Sequence, residues 1–171
     1  MKGYIQVYTG NGKGKTTAAL GLALRAAGAG LKVYFAQFIK GMDYSELHSI
    51  KKLSENITLK QYGRECFIYK EPDKADVKEA RNGFEEVSKI VLEGKHEIVV
   101  LDEINIAIYY KLISVAEVLE LIDNKPENVE LVLTGRNVDK KIIERADLVT
   151  EMKEIKHYYQ NGIRARKGIE S

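Results

Sequence analysis

One cysteine, a net charge of only +2 and no long uninterrupted apolar run set the first limits on this 171-residue chain. A lone Cys66 excludes an internal disulfide and a thiolate metal cluster. With charges of both signs interspersed, the small net charge lacks the electrostatic footprint of a nucleic-acid or membrane-surface binder. The short basic stretch Arg164-Ala165-Arg166-Lys167 reads as a solvated tail. The apolar segment from Ala18 to Leu31 is too short for a membrane span and is interrupted by Arg25. The chain runs directly into its first predicted strand, with no apolar signal core, so the expectation is a soluble, cytoplasmic protein. No internal repeat, low-complexity linker or arginine-dense lid is present. The length suits a single domain over residues 1–171 with a substantial core.

What is present is organised around one stretch. Tyr4 to Tyr8 reads as a buried strand, Thr9 to Thr17 as a glycine-rich turn, and the alanine- and leucine-rich run to Ala27 as a helix. That is the order a phosphate-binding loop requires. Glycines permit the turns that aim successive backbone N–H groups inward, and the helix start adds its positive dipole end. Lys15 would reach the terminal phosphates, and the Thr16 hydroxyl would ligate a magnesium ion held between them. The strict pattern G-x-x-x-x-G-K-[ST] is not quite met, because Thr9 stands where its first glycine belongs. The bland alternative is a glycine-rich turn that binds nothing.

Further along, strands are predicted at 32–38, 57–62, 97–103, 129–134 and 147–152. Helices are expected at 44–53, 73–93, 105–111, 115–123 and 140–145, and the stretch 63–73 shows no clear periodicity. Alternating strands and helices imply a three-layer α/β fold with a mainly parallel sheet and right-handed crossovers. Ligands of such sheets sit at the carboxyl ends of the strands. The turn after Tyr8, the Asp102-Glu103 pair and the Thr134-Gly135-Arg136 turn should therefore converge. Asp102 closes an apolar strand, as the second nucleotide-binding signature of phosphate-loop proteins does, and would hold the magnesium opposite Thr16. Glu103 is a candidate metal ligand, a general base toward water, or an orienter of other ligands. The pair could equally be the polar end of a strand. Arg136 is a candidate for touching phosphate, for capping the sheet edge, or for a surface salt bridge.

The run Tyr8-Thr9-Gly10-Asn11-Gly12-Lys13-Gly14-Lys15-Thr16-Thr17-Ala18-Ala19 resembles the nucleotide loop of the phosphate-loop ATP:cob(I)alamin (corrinoid) adenosyltransferases. The resemblance continues through Gln37-Phe38-Ile39-Lys40-Gly41, Leu101-Asp102-Glu103-Ile104-Asn105 and Leu133-Thr134-Gly135-Arg136. It extends to Ala146 to Met152, Lys156-His157 and Lys167-Gly168-Ile169-Glu170. The Thr9 departure is shared with that family. The resemblance implies a recombinase-like phosphate-loop fold and transfer of the 5′-deoxyadenosyl group of ATP to the Co(I) of a reduced corrinoid, with release of triphosphate. It implies ATP bound in the reverse sense along Thr9 to Thr17, with Arg25 and His157 near the adenosine end. It also implies magnesium, with manganese as an alternative, on Thr16, Asp102 and Glu103. Lys13, Lys15 and Thr16 would stabilise the departing triphosphate. Phe67 and Tyr69, the latter where the family often has tryptophan, would press on the lower corrin face; as plain sequence they read as packing residues under a loop. A flavoprotein reductant is implied as partner, and a homodimer is the default assembly. The competing functions are a phosphate-loop ATPase or switch with Glu103 activating water, a small-molecule kinase, and a nucleotide-gated corrinoid-binding module.

Overall fold

The computed structural model describes residues 1–63 and 72–170. It contains six strands: β1 (Ile5–Thr9), β2 (Val33–Phe38), β3 (Ile57–Tyr62), β4 (Ile98–Asp102), β5 (Glu130–Thr134) and β6 (Leu148–Glu151). Six α-helices join them: α1 (Lys15–Gly28), α2 (Ser45–Ile50), α3 (Lys74–Glu93), α4 (Ile104–Tyr109), α5 (Val115–Asn124) and α6 (Lys140–Arg145). All strands pair in parallel in the order β3-β2-β4-β5-β1-β6, so the expected mainly parallel sheet is wholly parallel.

Strand pleating divides the core into two layers. On one face Val33, Phe35, Ile98, Val100 and Val132 meet Ala19, Ala23 and Ala26 of α1, whose small side chains bring that helix close to the sheet. On the other face Tyr34, Ala36, Phe38, Val99, Leu101, Leu131 and Leu133 meet α3, α4 and α5 through Phe84, Val87, Ile104, Ile108, Val118 and Leu121. Strands covered on both sides read as continuous apolar runs, which is why β4 stands out in the sequence. Asp73 and Ser114 open α3 and α5 with capping boxes that satisfy their first free N–H groups.

The sequence boundaries hold to within a residue or two, and the shifts have local causes. β4 stops at Asp102 because Glu103 adopts φ 61° and turns the chain into α4. The expected 44–53 helix tightens after Ile50 into a 3₁₀ turn over Lys51–Leu53. No helix among the described residues is long and apolar enough to cross a membrane.

Two helical glycines carry opposite consequences. A Cβ on Gly83 of α3 would lie 2.5 Å from Cγ of Tyr62, whereas a Cβ on Gly21 of α1 would meet nothing within 4 Å. Gly83→Ala should therefore destabilise by about 1–3 kcal/mol through overpacking, reversing the usual helix-propensity gain. Gly21→Ala should stabilise by about 0.5–1 kcal/mol. Urea unfolding of the two variants checks the pair; a midpoint increase for Gly83→Ala would contradict the packing.

Candidate nucleotide site

The loop between β1 and α1 is fixed by its neighbours. Gly10 takes φ 93°, and a Cβ there would fall 2.4 Å from the carbonyl oxygen of Met152. Just beyond β6, Met152 donates its N–H to the Thr9 carbonyl at 2.8 Å and accepts from the Gly12 N–H at 2.7 Å. The Gly12 N–H therefore serves Met152 rather than the interior of the loop, because the chain leaving the edge strand runs alongside it. Lys15 opens α1, is 6% exposed, and donates to the carbonyls of Gly10 and Gly12, both at 2.8 Å. Burial pushes its ammonium below the ordinary lysine value; the carboxylates of Glu103 and Asp102 oppose that fall, and Arg136 adds to it.

Opposite the loop stands Asp102, fully buried at the end of β4. Its carboxylate accepts from the Thr134 hydroxyl at 2.6 Å, the Thr16 hydroxyl at 3.0 Å and the Lys40 ammonium at 2.8 Å. Lys40 also donates to the Thr16 oxygen at 3.1 Å. Burial works against the charge on Lys40, but Asp102 outweighs it and holds the ammonium above the usual lysine value. Thr134 at the end of β5 ties the group together, accepting the Glu103 N–H at 3.0 Å. Burial, then the neighbouring Asp102 charge, raises the Glu103 carboxyl above its ordinary range against the pull of Lys40, Lys15 and Arg136.

Lys15, Thr16, Lys40 and Glu103 border a cavity of about 880 Å³, while Asp102 and Thr134 are fully buried and do not line it. Gly12 to Thr17 form one wall, and Lys40, Glu103, Ile106 and Arg136 form the floor and rim. Tyr44, Ser45, Glu46 and Ser49, at and within α2, form a further wall, and His157 with Gly168 to Glu170 closes the side over the loop.

The predicted residues are therefore largely gathered. Thr9, Gly10 and Asn11 form the β1 side of the loop, and Arg136 donates to the Asn11 carbonyl at 3.2 Å. Lys13 lines the cavity but its ammonium turns to the C-terminal segment, meeting Glu170 at 2.7 Å, the Tyr158 hydroxyl at 3.0 Å and the Ile169 carbonyl at 3.1 Å. His157 reaches the cavity while its Nδ1 caps a 3₁₀ turn by accepting from the Tyr159 N–H. Arg25 stands apart from the loop. It sits on the exposed side of the last turn of α1, ten residues and about 15 Å of helix beyond Lys15, and does not line the cavity. Phe67 and Tyr69 lie outside the described residues, as does Cys66.

Sequence reasoning assigned no role to Lys40, Thr134, Gln37 or the α2 wall. Gln37 is fully buried at the end of β2, donating toward Glu46 at 3.3 Å and accepting from Gln61 at 3.1 Å. The available signal was a lone polar residue closing an apolar strand, the same signal that marked Asp102.

The profile of the family described as ATP:corrinoid adenosyltransferase BtuR/CobO/CobP matches residues 1–171. A corrinoid adenosyltransferase of Sinorhizobium sp. is 41% identical over 99% of this chain and 80% of its own length. Those of Pseudomonas aeruginosa and Escherichia coli are 36% and 32% identical, again over 99% of this chain, and over 84% and 86% of theirs. Among solved structures, a KaiC-like protein of the archaeon Pyrococcus horikoshii superposes with a TM-score of 0.57 at 17% identity, covering 90% of this chain and 74% of that one; this likeness concerns the fold alone. With the profile matched from end to end and relatives aligned over nearly its full length, the chain belongs to the ATP:corrinoid adenosyltransferase family.

Proposed function

We propose that this transferase moves the 5′-deoxyadenosyl group of ATP to the Co(I) centre of a reduced corrinoid and releases inorganic triphosphate. The observation that carries the reading is the convergence of Lys15, Thr16, Lys40 and Arg136 on one cavity, with the buried Asp102 held against Thr16 and Lys40, an arrangement suited to polyphosphate. Co(I) brings its own electron pair to C5′ of the ribose. That pair becomes the cobalt–carbon bond, while the bond from C5′ to the α-phosphate oxygen breaks and its bonding pair leaves on the triphosphate. No side-chain nucleophile and no proton transfer is needed, so the protein's work is to position C5′ and to neutralise charge growing on the leaving group.

This chain's residues divide that work. The loop N–H groups other than that of Gly12, with the positive end of α1, would face the phosphates. Lys15, held ready by the Gly10 and Gly12 carbonyls, exchanges those neutral acceptors for phosphate oxygens. Arg136 stands at the rim, steadied by Asn11. The donor set of one hydroxyl and one carboxylate suits magnesium, which takes few protein ligands and completes its shell with phosphate oxygens and water. Thr16 and Asp102 would hold that ion, with Glu103 beside them, and it would supply further neutralisation of the triphosphate. That an ammonium already rests on the same two oxygens supports the fit. Phe67 and Tyr69 are proposed to face the corrin from the segment preceding α3. The family resemblance further supports a cytoplasmic homodimer supplied with electrons by a flavoprotein.

An anaerobic assay with ATP, magnesium and chemically reduced corrinoid tests the reading. A light-sensitive alkyl-cobalt spectrum should appear together with intact triphosphate, and Lys15→Ala should lower the rate by about 10²–10³. ADP and phosphate without a cobalt–carbon bond would overturn it and make Glu103 the base of a hydrolase.

Glu103 has a separate signature in stability. Its carboxyl lies above the ordinary value of 4.5 in the folded state, so ionising it works against folding. That cost is absent below pH 4.5 and develops as the pH rises through the folded value. Glu103→Gln should thus melt higher than the parent at pH 8, with the gap closing as the pH falls toward 4.5. A gap independent of pH in thermal melts would show that the surrounding cations already compensate the charge.

A further inference from the structure

Lys40 belongs to no position of the phosphate-loop pattern, yet it is built into the site with care. It follows Ile39, a β-branched residue held at φ 61°, a backbone conformation such residues rarely adopt. The Ile39 N–H is pinned to the Tyr62 carbonyl at 3.1 Å, and the backbone of Ile39 and Lys40 lies against Gly63 so closely that a Cβ there would come within 2.5 Å of the Lys40 nitrogen. Strain of this kind persists where surrounding structure enforces it and clusters at working sites. Its result is that the Lys40 ammonium lands on the Thr16 hydroxyl and the Asp102 carboxylate, the two oxygens taken above as the divalent-ion seat.

We propose that Lys40 is a stand-in cation: its ammonium occupies the divalent-ion seat in the unloaded protein and passes to the polyphosphate when nucleotide and metal enter. The inference rests on the reading of Thr16 and Asp102 as that seat. A fully buried carboxylate without a counter-charge is strongly unfavourable, so the empty site needs a cation of its own. A divalent ion arriving alone has to displace the ammonium and then share a partly buried cavity with it. Glu103 and Glu46 also face Lys40 electrostatically, which keeps the ammonium in the cavity rather than in solvent. Polyphosphate changes the balance by offering Lys40 new anionic oxygens. Metal binding thereby becomes conditional on nucleotide, and Lys40 arrives among the oxygens on which charge grows as the triphosphate departs.

Manganese titration followed by the electron paramagnetic resonance of the free ion tests this without turnover. Unloaded parent protein should bind Mn²⁺ weakly and ATP-loaded protein tightly. Lys40→Met should bind Mn²⁺ without nucleotide about tenfold or more tightly than the unloaded parent, because a full positive charge has left the seat. Lys40→Arg should exclude the ion as the parent does, and adding Asp102→Asn to Lys40→Met should abolish the gain. In thermal melts, Mn²⁺ alone should raise the midpoint of Lys40→Met and leave the parent unchanged. Lys40→Gln, which keeps an amide donor toward Asp102, takes its place if Lys40→Met does not fold. Tight binding by the ATP-loaded parent with no gain in the unloaded variants would overturn the Lys40 role and leave the seat intact. No binding by the ATP-loaded parent, or binding indifferent to Asp102→Asn, would overturn the seat and the inference together.

Discussion

The site depends on the burial of one carboxylate. Asp102 has no access to water, and every cation or hydroxyl that satisfies it arrives from a different element: Thr16 from α1, Lys40 from the turn after β2, Thr134 from β5. A buried charge of this kind is costly unless fully partnered, so its partners are constrained in position as strongly as the core is constrained in packing. Four segments distant in sequence are thereby held to one point. The parallel sheet makes this possible because all its strands present their carboxyl ends on the same edge.

From that point the cavity acquires its polarity. The loop and the start of α1 supply positive potential from backbone groups, and Lys15, Lys40 and Arg136 supply it from side chains. The two acidic residues differ in role because their surroundings differ. Asp102 is surrounded by donors, whereas Glu103, one residue on and turned by a left-handed backbone, is desolvated beside a like charge. A site with this distribution suits a bound polyphosphate, on whose oxygens the proposed transfer places negative charge.

Much of this was legible in the chain. β4 was visible because burial on both faces removes the polar alternation, and α1 because Ala19, Ala23 and Ala26 recur on one helical face after a glycine turn. The loop residues, Asp102, Glu103 and Arg136 were readable because strand, turn and helix succeed one another within a short local sequence. Lys40 was given no role because it lies in the turn beyond β2, outside any periodic pattern, and the Thr134 turn was placed at the converging edge without a role for its hydroxyl. Arg25, which the family resemblance sets near the adenosine end of ATP, stands outside the cavity lining, because a helix carries its last turn away from its first by about 1.5 Å per residue.

The sequence by itself determined the fold class, the order of elements, the phosphate loop and the carboxylate facing it. These follow from local rules, the hydrophobic period and the backbone freedom of glycine, which act over a few residues. Tertiary structure alone decided which strands are neighbours, that the chain beyond β6 takes the Gly12 N–H from the loop, that Lys13 turns toward Glu170, and that Lys40 rests between Thr16 and Asp102. Those outcomes depend on contacts between segments tens of residues apart. Such contacts are settled by which arrangement leaves the fewest buried charges and donors unpaired, a condition no local stretch of sequence can express.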